Sequence, residues 1–414
     1  MYICGIINLY ITVMIIRETY LNSIKNYINK PVIKVITGMR RVGKSYFIKQ
    51  IINSLMNNGH KPEQILYVNM ELMEFDFIED YKDLYKYISE YFIDCKKDKY
   101  IFIDEVQEVR QWEKVVSSLL AEEKYDIYIT GSNSNLLSSE LSTLISGRYI
   151  EFNIYSLSFS EFLDFRLEQR QDVNTEFNNY LKFGGFPVIH NFDFNEELSY
   201  QYISSLYNTI LLKDVISRYN LRNVRLFTDI VKFTFSNLGQ IFSSNSISKY
   251  LKNQKKNVGI ETIQNYLHYL ESSFMLYKVQ RYDIKGKRVL ELFEKYYLGD
   301  ISLKNAIVGY KDDDISGLLE NIVFLKLKQD GYNVFIGKFD DYEVDFIAEK
   351  NGNKKYFQVA YLLNSEKTID REFSVLEKIK DNYPKYVITM DNLPKSDRNG
   401  ISRMHITDFL LDKY

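Results

Sequence analysis

The eight residues from Gly38 to Ser45 fit the pattern G-x-x-x-x-G-K-[ST], which constrains the fold more than any other part of the sequence. They follow an apolar β-branched run, Val32 to Thr37, and precede Tyr46 to Ile52, whose apolar residues recur at helical spacing. This order of strand, loop and helix predicts a P-loop, a turn whose backbone N–H groups converge on a phosphate. A chance match to a short pattern is the alternative, and the flanking segments argue against it.

The predicted loop assigns nucleotide contacts to its own residues and to the first residues of the helix. Glycines at both ends let the chain turn its N–H groups toward one point, and the helix N-terminus favours an anion. Lys44 would reach the β- and γ-phosphates, and the Ser45 hydroxyl would hold Mg²⁺. We therefore expect ATP and Mg²⁺ as ligands, with a nucleotide-binding set of Gly38, Met39, Arg40, Arg41, Val42, Gly43, Lys44, Ser45 and Tyr46.

A second motif spans Tyr100 to Glu105, where four apolar residues precede two acidic ones. A buried strand that ends in Asp104 can place this carboxylate beside Ser45 and complete the Mg²⁺ shell. Glu105 points elsewhere and is the candidate general base that activates the attacking water. Such a pattern is common in parallel sheets, but its position after a P-loop, with both acids present, indicates a Walker B motif.

Composition indicates a globular protein of more than one domain. The chain has 414 residues, 45% of them hydrophobic, and a formal net charge of −2. This charge argues against an overall basic surface for nucleic acid and leaves a local basic patch open. Two cysteines and four scattered histidines provide neither a disulfide framework nor a zinc cluster. We therefore expect a reduced, cytoplasmic protein.

The apolar segment Met1 to Ile16 is the part of the sequence that could contradict this expectation. It is short for a membrane span, and it has neither a basic n-region nor a small-residue cleavage site. A membrane anchor, a docked N-terminal segment and translation that starts at Met14 instead of Met1 are the three interpretations. We favour the last two, and we expect no stable membrane association.

The order of segments around the Walker motifs carries a family resemblance. Gln64 to Asn69 has the pattern of an additional strand, Asp126 to Asn133 that of a strand with a small polar end, and Tyr149 to Tyr155 that of a fifth strand. Together with the Walker motifs, this order resembles the AAA-type P-loop ATPases. The resemblance implies an α/β fold with the parallel sheet of that family, and an enzyme that hydrolyses ATP with Mg²⁺.

The resemblance also implies two catalytic positions near the terminal phosphate. A polar side chain at the end of the fourth strand would contact the γ-phosphate or the water; Ser132 and Asn133 both fit, and Asn133 is our catalytic candidate. Turn chemistry is the other explanation of these residues. Arg148 follows the predicted helix Asn135 to Ser146 at the position of an arginine finger, which would act on a neighbouring subunit and implies a homo-oligomer with ATP bound. Neutralisation of a helix C-terminus is the alternative role of Arg148.

Three downstream segments resemble one prokaryotic subgroup. Leu157 to Leu163, Phe183 to Pro187 and Leu212 to Val215 are similar to archaeal and bacterial AAA ATPases that carry a C-terminal domain of unknown function. The resemblance extends from about residue 14 to the end of the chain. We divide the chain accordingly into an ATPase core at 14–157, a helical lid at 158–223, a winged-helix domain at 224–310 and a nuclease-like domain at 311–414.

The pattern of the third region predicts short helices and a β-ribbon. Capping residues open helices near Ser243 and Gly259, and strands are expected at Phe274 to Tyr282 and Lys295 to Leu298, which is typical of a winged helix. Basic residues accompany it, namely Lys249, Lys252, Lys255, Lys256, Arg281, Lys285, Lys287 and Arg288. They favour DNA as a partner. A solvated lysine face or a protein-binding role explains the same residues.

The last region resembles the restriction-endonuclease-like fold, in which two carboxylates hold Mg²⁺ and a lysine activates water. Glu320 and Asp345 fit the carboxylates, but Gln358 replaces an acid and Ala360 stands at the lysine position. We therefore expect a degenerate domain without nuclease activity. If cleavage does occur, the neighbouring Lys354 and Lys355 are the first candidates for the missing lysine.

Three functional hypotheses follow from these residues. The first is an ATPase whose hydrolysis is coupled to the winged-helix and nuclease-like regions, supported by the intact Lys44, Ser45, Asp104 and Glu105. The second is a slow nucleotide-dependent switch that binds DNA or a protein. The third, a nuclease gated by ATP, is disfavoured by Ala360.

Overall fold

The computed structural model describes residues 15–137, 147–167, 169–391 and 396–413. The chain divides into two compact units, Met1–Ile154 and Tyr155–Tyr414. The predictions for residues 1–14, and for most of the helix expected from Asn135 to Ser146, fall outside the described residues. In the ranges that the structure describes, no helix combines the length and the apolar character that a membrane crossing requires.

The described part of the first unit alternates strands with helices. Its helices are α1 (Glu18–Lys25), α2 (Lys44–Asn57), α3 (Tyr81–Tyr91) and α4 (Trp112–Ala121), and its strands are β1 (Ile33–Thr37), β2 (Ile65–Asn69), β3 (Lys99–Asp104), β4 (Tyr125–Gly131) and β5 (Tyr149–Asn153). The side chain of Asp80 caps α3 by accepting from the backbone N–H groups of Lys82 and Asp83. The β-branched runs form the strands, where such side chains pack well on a pleated surface.

The five strands form a parallel sheet in the order β2-β3-β4-β1-β5. All of β1 and nearly all of β3 and β4 are buried, as in sheets covered by helices on both faces. The predicted α/β class with a parallel sheet is thereby confirmed. Because β4 lies between β1 and β3, the P-loop, the Walker B acids and the polar end of β4 meet at one edge of the sheet.

The second unit begins with helices and continues into a mixed α/β region. Its helices are α5 (Phe159–Asp164), α6 (Val173–Phe183), α7 (Glu196–Ile210, continued by a π-helical turn Leu211–Ser217), α8 (Val224–Ser236), α9 (Ser244–Asn253), α10 (Ile260–Ser272), α11 (Ser302–Val308), α12 (Ile315–Gln329), α13 (Glu366–Lys378) and α14 (Ile406–Leu410). Its strands are β6 (Leu276–Asp283), β7 (Arg288–Leu298), β8 (Asn333–Phe339), β9 (Tyr342–Lys350), β10 (Asn353–Ala360), β11 (Lys385–Thr389), β12 (Ser396–Arg398) and β13 (Ile401–His405).

The described strands of the second unit form one eight-stranded sheet in the order β12-β13-β11-β10-β9-β8-β6-β7. The antiparallel ribbon of β6 and β7 is the segment predicted as a wing. It joins the sheet because β6 pairs in parallel with β8, Arg281 opposite Ile336 and Asp283 opposite Lys338. This pairing satisfies backbone groups that an isolated ribbon would leave at its edge. The segments predicted as a wing and as a nuclease-like region thus share one sheet. The division of the chain at residues 223 and 310 stays a prediction.

Candidate nucleotide-binding site

The loop between β1 and α2 has a backbone that only particular residues can follow. Gly38 has a φ of 141°, and a Cβ atom there would lie 2.2 Å from the carbonyl oxygen of Ile154. Gly43 has a φ of 104° and forms the N-cap of α2, and Arg41 also lies at positive φ, 67°. The glycines of the motif are therefore required by the turn that leads from β1 into the N-terminus of α2.

The Lys44 side chain lies buried inside this loop. Its Nζ atom donates to the carbonyl oxygens of Gly38 at 3.0 Å and of Met39 at 3.2 Å. It also lies 3.6 Å from the Glu105 carboxylate. A single ammonium thus connects the P-loop to the Walker B region, and it is placed where an incoming phosphate would compete with the carboxylate for it.

Asp104 ends β3, fully buried, and neighbouring strands hold both of its oxygens. Tyr67 on β2 donates its hydroxyl to one oxygen at 2.9 Å, and Thr130 on β4 donates to the other. Burial and the nearby Asp104 raise the pKa of the Tyr67 hydroxyl above its usual range, so it remains a donor. These two contacts fix the orientation of the carboxylate, as hydrogen-bond donors to metal-binding carboxylates commonly do.

Glu105 follows directly and leaves the line of the strand. Its φ of 55° lies in the left-handed region, and its backbone N–H donates to Thr130 Oγ1 at 2.9 Å. Gln107 donates to one carboxylate oxygen, while Lys44 lies near the other. Burial acts to raise the pKa of Glu105, but Lys44 and the other neighbours outweigh it and hold the pKa below its ordinary value. The group is therefore ionised at neutral pH, as a proton acceptor must be.

The other nucleotide-binding candidates lie on the same loop and helix. Ser45 is half-buried in the first turn of α2, while Arg41 and Tyr46 are exposed. Arg40 contacts Glu71 at 3.3 Å, and Val42 is buried. Ser132 and Asn133 are buried beyond the end of β4, and the Ser132 side chain hydrogen-bonds to Glu105. The structure thus brings Lys44, Asp104, Glu105 and the polar end of β4 to one edge of the sheet.

Arg148 takes a different position from the other candidates. It is exposed directly before β5, and its carbonyl oxygen accepts from the backbone N–H of Ile33 at 3.0 Å. The role of Arg148 as an arginine finger stays a prediction.

Four residues of the site were missed by the sequence reasoning: Arg17, Tyr67, Gln107 and Thr130. Arg17 is buried before α1 and donates to the P-loop carbonyl oxygen of Val42 at 3.2 Å. Tyr67 and Thr130 lie on segments that were predicted as buried strands from their apolar residues. The position of these two hydroxyl groups near the strand ends could have indicated a role in the site. Gln107 lies two residues beyond Glu105, within reach of it.

The second unit contains an acidic cluster, which we call the carboxylate cluster: Glu320 on α12 with Glu343 and Asp345 on β9. Glu320 and Asp345 are the two residues predicted from the nuclease resemblance, and Glu343 was not predicted. Lys295 on β7 lies among them. Its Nζ atom is 2.7 Å from Glu343, 3.1 Å from Glu320 and 3.8 Å from Asp345. Burial acts to lower the pKa of Lys295, but the carboxylates outweigh it and raise the pKa above its usual range.

The residues at the other positions of the nuclease pattern do not face Lys295. The Gln358 side chain donates to Glu372 at 2.9 Å and accepts from the backbone N–H of Asp345 at 3.4 Å, and Ala360 is buried in an apolar cluster. Lys354, which the sequence suggested as a replacement lysine, donates to the Tyr282 hydroxyl at 3.0 Å. The lysine that the structure places among the carboxylates is therefore Lys295, from a strand outside the predicted nuclease-like region.

Comparison with known families agrees with the fold and the P-loop. Residues 30–163 match the family described as AAA domain, and residues 174–314 match a domain of unknown function (DUF8612). Residues 30–163 thus carry an AAA domain, and its P-loop is the segment from Gly38 to Ser45.

Two uncharacterized relatives match most of the chain. An uncharacterized protein of Haemophilus influenzae is 38% identical over 400 residues, covering 96% of this chain and 99% of the relative. The uncharacterized protein MJ1544 of Methanocaldococcus jannaschii is 32% identical over 363 residues, covering 84% and 79%. The chain belongs to the family that these two proteins represent.

Solved structures show a more distant likeness. The ORC2 protein of Aeropyrum pernix, in ADPNP and ADP complexes, matches with a TM-score of 0.39 and 11% identity, over 75% of this chain and 92% of that one. At these values no property of that protein is carried over to this chain.

Proposed function

We propose that this protein is an Mg²⁺-dependent ATPase whose catalytic centre is the P-loop edge of the parallel sheet. The observation that carries the proposal is the single ammonium of Lys44, held by P-loop carbonyls and placed 3.6 Å from the candidate base Glu105. A lysine in this position can neutralise an incoming phosphate, and the adjacent carboxylate can act on the water that attacks it.

The residues around Lys44 support a nucleotide and a metal ion. The P-loop N–H groups and Lys44 would bind the phosphates, and Ser45 with Asp104 would hold Mg²⁺. Asp104 suits this role because Tyr67 and Thr130 fix its carboxylate at the end of β3. When bound, Mg²⁺ neutralises charge on the phosphate oxygens and orients them.

Glu105 would serve as the general base. Its lowered pKa keeps it ionised, and contacts with Lys44 and Gln107 orient its carboxylate. A phosphate that draws Lys44 toward itself frees one carboxylate oxygen to accept a proton from water. The water oxygen then bonds to the γ-phosphorus as the bond to the ADP oxygen breaks. Ser132 or Asn133 would orient the water. Asn133 is the candidate from the sequence, and Ser132 is the residue that hydrogen-bonds to Glu105.

Arg148 would complete the site of a neighbouring subunit. Its exposure before β5 suits contact with a second molecule. The proposal therefore includes a homo-oligomer in the ATP-bound state, with Arg148 stabilising charge on the transferred phosphate.

Phosphate release from ATP tests the proposal. Wild-type protein with Mg²⁺ is expected to turn over, and both chelation of Mg²⁺ and Asp104→Asn are expected to stop turnover. Absence of turnover with excess Mg²⁺, with and without DNA, would contradict the ATPase and leave the second hypothesis, a slow nucleotide-dependent switch. One observation favours that second candidate: both Lys44 and Gln107 contact the Glu105 carboxylate.

DNA binding by the α8–β7 region is a separate part of the proposal. Lys249, Lys252 and Lys255 are exposed, whereas Lys256 is paired with Asp229. Binding through such lysines should weaken steeply with salt, because each phosphate contact releases counterions. Replacing Lys252, Lys255, Lys256 and Arg288 by Ala should flatten this salt dependence. No binding to duplex or single-stranded DNA at low salt would leave a protein as the partner.

A further inference from the structure

The carboxylate cluster of the second unit differs from a metal site in what lies at its centre. Its three acidic residues come from two elements, α12 and β9, and face one ammonium from a third, β7. The Lys295 side chain is 4% exposed, and those of Glu320 and Asp345 are 14% and 10% exposed. This ammonium is thus an internal part of the fold.

The nuclease resemblance implies a divalent cation between these carboxylates, and the residues present do not fit one. Mg²⁺ requires oxygen ligands at about 2.0–2.1 Å in near-octahedral geometry. Here the space that the carboxylate oxygens share is taken by Nζ of Lys295, 2.7 to 3.8 Å from them. A metal ion bound to the same oxygens would stand directly beside a positive charge that cannot move to water without leaving the protein interior.

The remaining hydrogen bonds complete the ammonium-centred arrangement. The Tyr297 hydroxyl donates to Glu320 at 3.0 Å, and the backbone N–H of Val359 donates to Asp345 at 2.8 Å. Glu320 and Asp345 are thereby each oriented toward Lys295 by a second protein donor. Across the described residues, no group of three or more His, Cys, Asp or Glu side chains is arranged to hold a metal ion.

We infer that Lys295 takes the place of a divalent metal ion in the second unit, so that this region is held together by an internal cation and performs no metal-dependent cleavage. The Lys295 ammonium connects the β-ribbon to α12 and β9, because it contacts carboxylates on both of these elements. The inference concerns the second unit only and does not depend on ATP hydrolysis in the first.

Mn²⁺ binding to the full-length, nucleotide-free protein tests this inference, with electron paramagnetic resonance as the readout. The variants are Lys295→Met, Lys295→Met with Asp345→Asn, and Asp345→Asn alone. Lys304→Met is the matched control, because Lys304 is equally buried and pairs with Asp314 away from the cluster. All variants share the same P-loop, so differences between them report on the second unit.

Wild-type protein and Lys304→Met are expected to bind Mn²⁺ alike, with no change caused by Asp345→Asn. Lys295→Met should gain Mn²⁺ affinity of about tenfold or more, because three carboxylates then face an empty position, and Asp345→Asn should remove this gain. Wild-type Mn²⁺ binding that depends on Asp345, or a folded Lys295→Met protein without the gain, would overturn the inference. If Lys295→Met does not fold, the comparison of wild type with Asp345→Asn decides alone: equal binding supports the inference, and unequal binding refutes it.

Discussion

The P-loop site and the carboxylate cluster each place a buried lysine against carboxylates, but with opposite consequences. Lys44 faces one carboxylate, Glu105 at 3.6 Å, and its other contacts are backbone carbonyl oxygens of a glycine-containing loop. Lys295 faces Glu320, Glu343 and Asp345 together. An arriving phosphate can replace Glu105, the one carboxylate that faces Lys44. It cannot compete with three carboxylates for Lys295.

The difference shows that a lysine's partners decide whether it binds a ligand or serves the fold. In the first unit the ammonium is available, because carbonyl oxygens and one distant carboxylate satisfy it only in part. In the second unit, acidic residues of the kind that bind metal ions have become partners of a protein cation. Similar residue types are thus proposed to form a nucleotide site in one unit and a structural contact in the other.

The largest effect is expected from Lys295→Met. Removing one partner of a buried charge network leaves the others uncompensated, which costs about 3–5 kcal/mol. The midpoint of urea unfolding of the second unit should fall accordingly, measured by tyrosine fluorescence and circular dichroism. Lys304→Met, which leaves only one carboxylate that is itself partly exposed, should fall less. An equal or smaller loss for Lys295→Met would contradict the difference drawn between the two lysines.

Lys44→Ala should weaken binding of a non-hydrolysable ATP analogue by about 100-fold, because a charge-assisted contact to phosphate contributes on the order of 1.5–3 kcal/mol. Isothermal titration calorimetry measures the change. Lys61→Ala is the control, since Lys61 is an exposed lysine outside the loop. Unchanged affinity in Lys44→Ala would remove this lysine from the nucleotide site and with it the contrast to Lys295.

Tyr67→Phe should raise the Mg²⁺ concentration needed for half-maximal ATPase activity by about tenfold, as expected when a metal ligand loses its orienting partner. The deleted hydroxyl is the one that donates to Asp104 at 2.9 Å. Tyr128→Phe is matched, because it removes a buried hydroxyl bonded to Asp126 instead. An Mg²⁺ requirement that shifts equally in both variants would show a general effect on the sheet.

Glu271 provides a third case, a half-buried carboxylate whose neighbouring cation is paired with a second acidic residue. Burial, foremost, raises its pKa to about 7, and the nearby Lys278 pairs with Glu294. Because the folded protein holds this proton more tightly than the unfolded chain, the contribution of Glu271 to stability falls as pH rises from about 4.5 to about 7. Glu271→Gln should therefore stabilise the protein by about 1 kcal/mol at pH 8 and by little at pH 5. Equal effects at both pH values in urea unfolding would contradict this sign.

The sequence was sufficient to predict the candidate site where its residues lie close together along the chain. The P-loop and the Walker B acids each lie within a few residues of one strand end, so the strand alone places them. The parallel sheet was implied by the resemblance to the AAA-type ATPases. The partners of these residues were not predictable in the same way. Tyr67 and Thr130 reach Asp104 across neighbouring strands, and strand register is set by packing over the whole sheet.

Lys295 shows the same limit over a longer distance. Its partners lie 25 to 50 residues further along the chain, on elements that only the folded sheet brings together. From the sequence, the candidates for a replacement lysine were therefore Lys354 and Lys355 on β10, close to Ala360. The available signal was a lysine in the otherwise apolar end of β7, followed by Tyr296, Tyr297 and Leu298.

The role of Glu105 is the central claim, and one measurement tests it most directly. Glu105→Gln protein is incubated with ATP and Mg²⁺, freed of unbound nucleotide, and the bound nucleotide is then identified by chromatography over time. Loss of a general base typically lowers the rate by about 10²–10⁴-fold while binding persists, so ATP should remain bound long after the wild type has converted it to ADP. Conversion to ADP at the wild-type rate would contradict the account.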